Sequence, residues 1–598
     1  VRACSYLHAK YLNLIIYTRE SSFVSLDSDF WQSQEYPVSA IIVKLNKRLP
    51  IIEWLPKYKS EYIIQDMIAG ITVALTAIPQ GIAYAVIAGL PPEYGLYASL
   101  TSGIVYVFFG SCYNVTVGPT AILASMIAKY VSDYSPDFAI LTGFLTGVFI
   151  FALGILNLGF LVEFISIPVI TGFTASAALQ IVAAQLKSLF GTQGSSGNYF
   201  AESVKIFFNN IKTMKLWEPL LGFGTIIMLL LLKKMGQDCN RTDGIWKQTR
   251  WFISLSRNAV VVIVGMIIAY VIKVTLETEP LAIIGDIGSG LPEFSWPPFS
   301  TSVGNETYNF VDMIQVLGVQ AITIPFVAIL ETVAIAKAFA EDGRIDATQE
   351  MIAIGLCNII GSFGQSMPIT GSFARTALNH ISGVKTPAGG VTKLLLLVIA
   401  LTTLTSTFYY IPKASLAGLI ITALFSMIDY KIFPKIWRSS WRDFLILLLT
   451  MAVCLTSGLE YGIIAGISCE ALILLFVVAR PKLDVNTVNT EMGDLIIIPL
   501  CENLSYCAAE HVRRQIVKAT SASSNISVTI DGTRLKNIDY TGAFNLMSII
   551  KMLDKNNQIL LLNFNIGLKK ICLNFDPSFE NRFVHSSNTS EVTFPKDV

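Results

Sequence analysis

The chain has 598 residues, of which 53% are hydrophobic and only 14% charged, with a net charge of +1. So low a charged share, against ~25% in soluble domains, excludes an ordinary globular protein and points to a chain that crosses a lipid bilayer many times. The near-zero net charge, with basic residues in short clusters between apolar segments, gives no general attraction to nucleic acid, and no nucleic-acid partner is expected.

The first residue is Val1, so residues are expected to be missing ahead of it, and residues 1–60 lack a signal-peptide pattern and read as a cytosolic N-terminal region. Residues 61–480 read as the membrane domain. From Met67 to about Arg480, apolar segments recur between short polar or Gly/Pro-rich breaks, and about fourteen are counted. Crossing a ~30 Å hydrocarbon core takes roughly 20 helical residues, so some of them are too short to span. The clearest in the first half are Met67–Ala88, Leu96–Phe109, Ala139–Leu156, Pro168–Phe190, Leu220–Leu232 and Asn258–Ile272. The second half supplies Leu317–Ala340, Met351–Ile360, Thr392–Leu404, Pro412–Met427, Phe444–Thr456 and Tyr461–Ala479.

Lysine and arginine in the loops set the orientation. Lys233–Arg257 and Lys431–Arg442 are basic and read as cytosolic, whereas Glu277–Asp312 is acidic, proline-rich and carries the sequon at Asn305, so it should face outside or a lumen. The sequons at Asn240 and Asn114 fall in the basic loop or against a membrane segment and read as chance matches. A weak internal repeat is visible. Gln80 and Glu331, and Gly110-Ser111 and Gly361-Ser362, are each 251 positions apart, Gly118 and Gly371 are 253 apart, and Ile167-Pro168 and Ile411-Pro412 are 244 apart. Seven segments per repeat is an odd number, so the second copy enters from the opposite face, an inverted repeat.

After Arg480-Pro481 the pattern becomes strand Leu495–Leu500, helix Cys507–Ala519, strand Ile526–Asp531, helix Gly542–Leu553 and strand Gln558–Phe564. Residues 481–598 therefore read as a small cytosolic α/β domain. The nine cysteines are scattered without a C-x-x-C pair, and Cys357, Cys454 and Cys469 sit in apolar runs, so neither a disulfide framework nor a metal site is expected. Only His380 of the four histidines lies in the membrane region, and no Walker loop or hydrolase element is present. No enzyme and no cofactor is expected.

Val115–Ala121 and Ile369–Arg375 each set Gly with Thr or Ser just ahead of a short apolar segment, which predicts extended backbone leading into a half-helix. Irregular backbone at membrane depth survives only where protein buries it or where it lines a cavity. Two half-helix N-termini facing each other offer unpaired N–H groups and positive dipole ends, an anion site to which Arg375 adds a full charge. A kinked helix held by its neighbours is the plainer alternative. Glu331 lies inside a membrane segment, where it serves either as a partner for Arg375 or Lys337 or as a proton acceptor. Gln80 and Tyr84, four apart, share a helix face from which both can donate to an anion, though Tyr84 alone reads equally as core packing.

The stretches Ile78–Tyr97, Val117–Ala121 and Gly371–Arg375 resemble the sulfate permease family of anion transporters, and the likeness runs over nearly the full chain. Arg48–Tyr58, Ile335–Ala340 and Phe408–Lys413 are similar to a sodium-independent branch of it. The resemblance implies seven plus seven inverted segments divided into a core domain that carries the anion and a gate domain, a homodimer, and a C-terminal STAS domain, matched by Val528–Gly542. It implies an anion site of Gln80, Tyr84, Val117, Gly118, Pro119, Thr120, Gly371, Ser372, Phe373, Ala374 and Arg375, with Glu331 at the position where proton-coupled relatives have glutamate. Ala374 departs from the serine that many relatives place before the arginine, so backbone N–H groups or Ser372 must replace that hydrogen bond. Thr541 stands where regulated relatives of the STAS domain are phosphorylated, and it reads here as a solvated turn residue.

The function expected is secondary active transport of sulfate and similar anions in the plasma or lysosomal membrane, with proton coupling through Glu331. Obligatory exchange of chloride, bicarbonate, oxalate and sulfate is the alternative. A receptor or scaffold whose membrane part merely anchors it is the rival from another class, disfavoured because an anchor needs no charge at mid-membrane.

Overall fold

The protein, a computed structural model, is described at residues 48–194, 197, 199–236, 245–276, 280–340, 345–425, 428–490, 493–520, 527–553 and 558–585. Residues 1–47 and the Asn240 sequon lie outside these.

Among the described residues, fourteen principal helices build the membrane part. The first half contains α1 (Ile63–Ala88), α2 (Pro92–Phe109), α3 (Ala121–Asp133), α4 (Asp137–Ile155), α5 (Ile167–Phe190), α6 (Trp217–Met235) and α7 (Arg257–Leu276). The second contains α8 (Gln320–Phe339), α9 (Ala347–Phe363), α10 (Phe373–Ile381), α11 (Gly389–Ile399), α12 (Lys413–Phe425), α13 (Trp441–Ser457) and α14 (Leu459–Ala479). Among the described residues seven helical stretches are long and apolar enough to cross a membrane: Ser60–Ala88, Asp137–Ile155, Ile167–Phe190, Arg257–Thr275, Gln320–Phe339, Gly389–Phe408 and Leu459–Ala479. Helices α3 and α10, with 13 and 9 residues, are half-helices. At 1.5 Å per residue each falls well short of a ~30 Å hydrocarbon core.

Local chemistry sets the ends. Helix α1 stops at Gly89, whose φ of 75° is left-handed backbone that glycine adopts without steric cost. Helix α2 begins earlier than the hydropathy suggests, at Pro92, because proline suits the first helical turn. Helix α9 also starts earlier, since the Asp346 carboxylate accepts from the Gln349 N–H at 3.2 Å.

The halves interleave. Helices α1 to α4 pack with α8 to α11 in one bundle, chiefly α4 on α9, α1 on α11 and α2 on α9, while α5 to α7 pack with α12 to α14 in another. Contacts between bundles run through α1 with α7 and α12, α3 with α5, and α8 with α14. The repeat landmarks fall at matching places: Ile167-Pro168 opens α5 and Ile411-Pro412 leads into α12. Where α4 crosses α9 the backbones nearly touch. A Cβ on Gly147 would stand 2.5 Å from the Ile359 nitrogen, and one on Gly355 would stand 2.7 Å from the Phe151 nitrogen. Membrane helices have no hydrophobic drive toward one another, so small residues that allow close packing hold them together. Apolar side chains on α6, α7 and α14, such as Leu230, Ile267 and Phe476, point outward for lipid.

Outside the membrane helices, β2 (Ser300–Val303) and β3 (Glu306–Asn309) form an antiparallel hairpin, following a two-residue strand β1 (Val117–Gly118) earlier in the chain and preceding its partner β4 (Thr370–Gly371). Gly304 and the exposed Asn305 make the hairpin turn, with Gly304 at φ 60°. The C-terminal unit has a five-stranded sheet in the order β9-β8-β7-β6-β5: β5 (Asn486–Thr490), β6 (Gly493–Pro499), β7 (Ser527–Asp531), β8 (Gln558–Leu562) and β9 (Phe583–Val584). The β5–β6 pair is antiparallel and the rest parallel. Helices α15 (Tyr506–Thr520) and α16 (Tyr540–Leu553) bury Val512, Ile516, Leu546 and Ile550 against Ile498, Val528 and Ile530. Thr541 is exposed, but it stands in the first turn of α16 rather than in a loop, because that helix starts at Tyr540, ahead of Gly542.

Replacing Gly355 with valine forces α4 away from α9, and overpacking of this kind costs about 1–3 kcal/mol or more. The purified Gly355→Val protein should unfold at a distinctly lower temperature in detergent than the wild type, and an unchanged Tm would contradict the packing described.

Candidate functional site

The two interrupted segments meet. Strands β1 and β4 pair antiparallel, Val117 opposite Gly371 and Gly118 opposite Thr370, so that α3 and α10 start from the same short pair. Both helix starts lack a side-chain cap: Thr120 and Ser372 hold the N-cap positions in extended conformation and bond to no N–H of their helices. The first N–H groups of each helix are left for a ligand, with the positive end of its dipole.

Backbone of this kind needs substitutes for the missing helix bonds. The Ser372 N–H donates to the Thr116 carbonyl at 3.0 Å, and the Thr116 N–H donates to Thr376 Oγ1 at 3.1 Å. Asn358 of α9 brackets Ile369, accepting from its N–H at 2.9 Å and donating to its carbonyl at 3.0 Å. Thr332 of α8 accepts from the Gly371 N–H at 2.9 Å and lies 2.8 Å from the Thr370 hydroxyl, which donates to the Ala328 carbonyl at 2.7 Å.

Arg375, in the first turn of α10, is fully buried. Its Nη2 donates to the Pro119 carbonyl at 2.8 Å, while Nε and Nη1 are buried without any partner. A guanidinium carries five N–H donors, and unmade bonds at a buried charge are costly, so those groups stand ready for an acceptor. Gly118 makes the arrangement fit, because a Cβ there would lie 3.0 Å from Nη2.

A direct ion pair between Glu331 and Arg375, one of the roles open to that carboxylate, does not form. Glu331 accepts from Thr120 Oγ1 at 3.3 Å, and the guanidinium turns instead to the carbonyl of the opposite segment. The hydroxyl at the start of α3 thus takes the carboxylate, and Nε and Nη1 of the arginine stay without a partner. Glu331 and Arg375 nonetheless remain within electrostatic reach of each other. No ion pair joins Glu331 to Lys337 either, Lys337 being exposed at the end of α8.

A cavity of about 390 Å³ opens beside these groups. Tyr84, Thr120, Glu331, Gly371, Ser372, Phe373 and Ala374 form its wall on the first bundle, and Val169, Phe173, Leu424, Asp429 and Ile463 form its wall on the second. Of the expected site residues, Val117, Gly118, Pro119, Gln80 and Arg375 are not among those lining the cavity, although Ala374 and Thr120 beside them are, and Gln80 is buried with its Oε1 unpartnered. Tyr84 and Gln80, four apart in α1, are both buried, with Gln80 directly after Pro79, which lies inside the helix, and Tyr84 about one turn further on.

Several buried polar residues were not singled out from the sequence. Lys393 of α11, 3% exposed, donates through Nζ to the Val117 carbonyl at 3.1 Å. Glu350 of α9 accepts from the Ser111 and Cys112 N–H groups at 3.0 and 3.2 Å and from the Tyr106 hydroxyl at 3.0 Å. Asp66 of α1 accepts from the Lys385 and Thr386 N–H groups at 2.8 and 3.2 Å. Their signal was the same as for Arg375: a charge inside, or at the end of, an apolar run. Asn358 and Thr332 carried no such signal, being neutral residues in helices.

Residues 63–450 match the Sulfate permease family. The chain is 38% identical over 547 residues to the sodium-independent sulfate anion transporter of Bos taurus, covering 89% of each protein. It is 33% identical over 452 residues to the probable sulfate permease C3H7.02 of Schizosaccharomyces pombe, covering 73% of this chain and 50% of that protein. In fold it is similar to the murine Solute Carrier 26 family member A9 anion transporter in the inward-facing state, with a TM-score of 0.80 at 21% identity over 96% of each chain. An opposed pair of half-helices in an interleaved bundle, and sequence likeness over most of its length, make this chain a member of the sulfate permease family.

Proposed function

We propose that the protein is a secondary active transporter of sulfate and related anions, sodium-independent like the relative it matches, and coupled to protons through Glu331. The observation that carries this is Arg375, whose Nε and Nη1 are buried without partners beside two uncapped helix N-termini and a cavity. A tetrahedral oxyanion has acceptors in every direction and suits donors that converge from two helices and a guanidinium.

Transport follows from the division into bundles. The anion sits on the bundle of α1 to α4 and α8 to α11, the core, while the other wall of the cavity is mostly apolar, with Thr174 and Asp429 as its polar members. A shift of the core against the second bundle, the gate, carries the site from one membrane face to the other without consuming nucleotide. Glu331 supplies the coupling: ionised, it repels a dianion, and protonated, it is neutral, so sulfate and a proton enter together. Exchange for chloride, bicarbonate or oxalate is a second use of the same site. We assign the chain to a plasma or lysosomal membrane as a homodimer; its exposed apolar helix faces support the multi-pass membrane part of that reading. The N-terminus and residues 481–598, whose sheet and helices support the reading as a STAS domain, lie in the cytosol, with Thr541 accessible there.

Arg375→Ala should lower sulfate binding by at least about tenfold, as loss of a charge-assisted hydrogen-bond partner does. Unchanged flux in liposomes would favour the anchoring scaffold instead. Because protonation removes a repulsive charge, sulfate uptake should rise as pH falls in the wild type and become indifferent to pH in Glu331→Gln; a retained pH dependence would place the proton elsewhere. Asn305, at the hairpin tip, should carry a glycan in a eukaryotic host, so Asn305→Gln should remove the mobility shift produced by glycosidase. No shift in either protein would contradict the outward position of the hairpin.

A further inference from the structure

Lys393 has no part in the site as drawn so far, yet it is buried at the centre of the core. Its Nζ reaches through the gap left by Gly103, where a Cβ would stand 3.5 Å from it, to the Val117 carbonyl of β1. An ammonium has three N–H donors, and this one carbonyl is the protein partner it finds. No carboxylate pairs with it among the described residues. Helix α11 packs on α1 and α2, and the ionisable groups of the neighbouring elements are otherwise engaged: Asp66 by the Lys385 and Thr386 amides, and Glu350 by Ser111, Cys112 and Tyr106. Tyr113 and Asn379 share a small void with it. Lys393 and Arg375 therefore flank the β1–β4 pair, one bonded to Val117 and the other to Pro119.

We propose that Lys393 is a second cation of the anion site while the anion is bound, acting across the β1–β4 pair to favour dianions over monoanions. This rests on the transporter reading above and deepens it. An intramembrane cation without a counter-ion is unfavourable unless something mobile supplies the negative charge. With Glu331 ionised, Arg375 and Lys393 leave one positive charge, which a monoanion neutralises. With Glu331 protonated they leave two, which match sulfate. The loaded core then bears the same net charge with sulfate and a proton as with chloride alone, and it exchanges one for the other without moving net charge. Lys393 acts at a distance through its charge, as a positioning residue, and its effect scales with the charge of the ion.

The test compares labelled sulfate and chloride uptake by wild type, Lys393→Gln and Lys393→Arg in liposomes. Lys393→Gln should lower the sulfate-to-chloride ratio by about tenfold, since removing a cation costs a dianion twice what it costs a monoanion, and Lys393→Arg should restore it to within about threefold of wild type. A ratio unchanged in Lys393→Gln, or arginine failing where glutamine fails, overturns the proposal and leaves Lys393 a structural brace. A second readout needs no variant: in wild type, sulfate uptake driven by internal chloride should be unaffected by a potassium diffusion potential, and a voltage-dependent rate overturns the charge balance. Wild-type liposomes that take up chloride but no sulfate would instead refute the sulfate reading itself.

Discussion

A strand pair two residues long, buried within a membrane, must find partners for its backbone inside the protein, because hydrocarbon offers none. Much of the core is arranged around that need. Asn358, Thr332, Thr376 and Lys393 each bond to the backbone of 116–117 or 369–371, and they come from α9, α8, α10 and α11. The helices α3 and α10 that follow remain short because the chain reaches mid-membrane in extended form. Their free N–H groups are the consequence, and an anion is what such groups attract.

The same constraint explains which parts of the protein were legible in the sequence. Glycine and hydroxyl residues before short apolar runs, at 115–121 and 369–375, gave the half-helices directly, since few other structures tolerate that pattern at membrane depth. Arg375 was visible as a charge with no surface to reach. Its relation to Glu331 was not, because whether a carboxylate pairs with a guanidinium or with a hydroxyl depends on where α8 lies against α3, a tertiary matter that Thr120 decides. Lys393 was overlooked although its signal was equal in kind, standing as it does near the start of an apolar run where a lysine is ordinarily taken to reach the surface. Gly103 and the Val117 carbonyl hold it inside instead. Helix boundaries moved where caps rather than hydropathy set them, at Pro92 and Asp346.

The division of labour between bundles follows from polarity. Tyr84, Thr120, Glu331 and Ser372 bring polar groups of the core to the cavity, while the facing wall is mostly apolar, with Val169, Phe173, Leu424 and Ile463 beside Thr174 and the exposed Asp429. In the transport proposed, so largely apolar a wall offers few bonds that must break when the core slides, and the anion travels with the core as one unit. The close glycine contacts between α4 and α9 serve the same end by keeping that unit rigid.

Locating a bound oxyanion tests the central claim most directly. Selenate has the shape and charge of sulfate and scatters X-rays anomalously, so a structure of the purified protein with selenate shows where the ion rests. The account predicts selenium between the starts of α3 and α10, with its oxygens in hydrogen-bond reach of Arg375 Nε or Nη1. An ion bound elsewhere, or a site that Arg375→Ala leaves fully occupied, would contradict it.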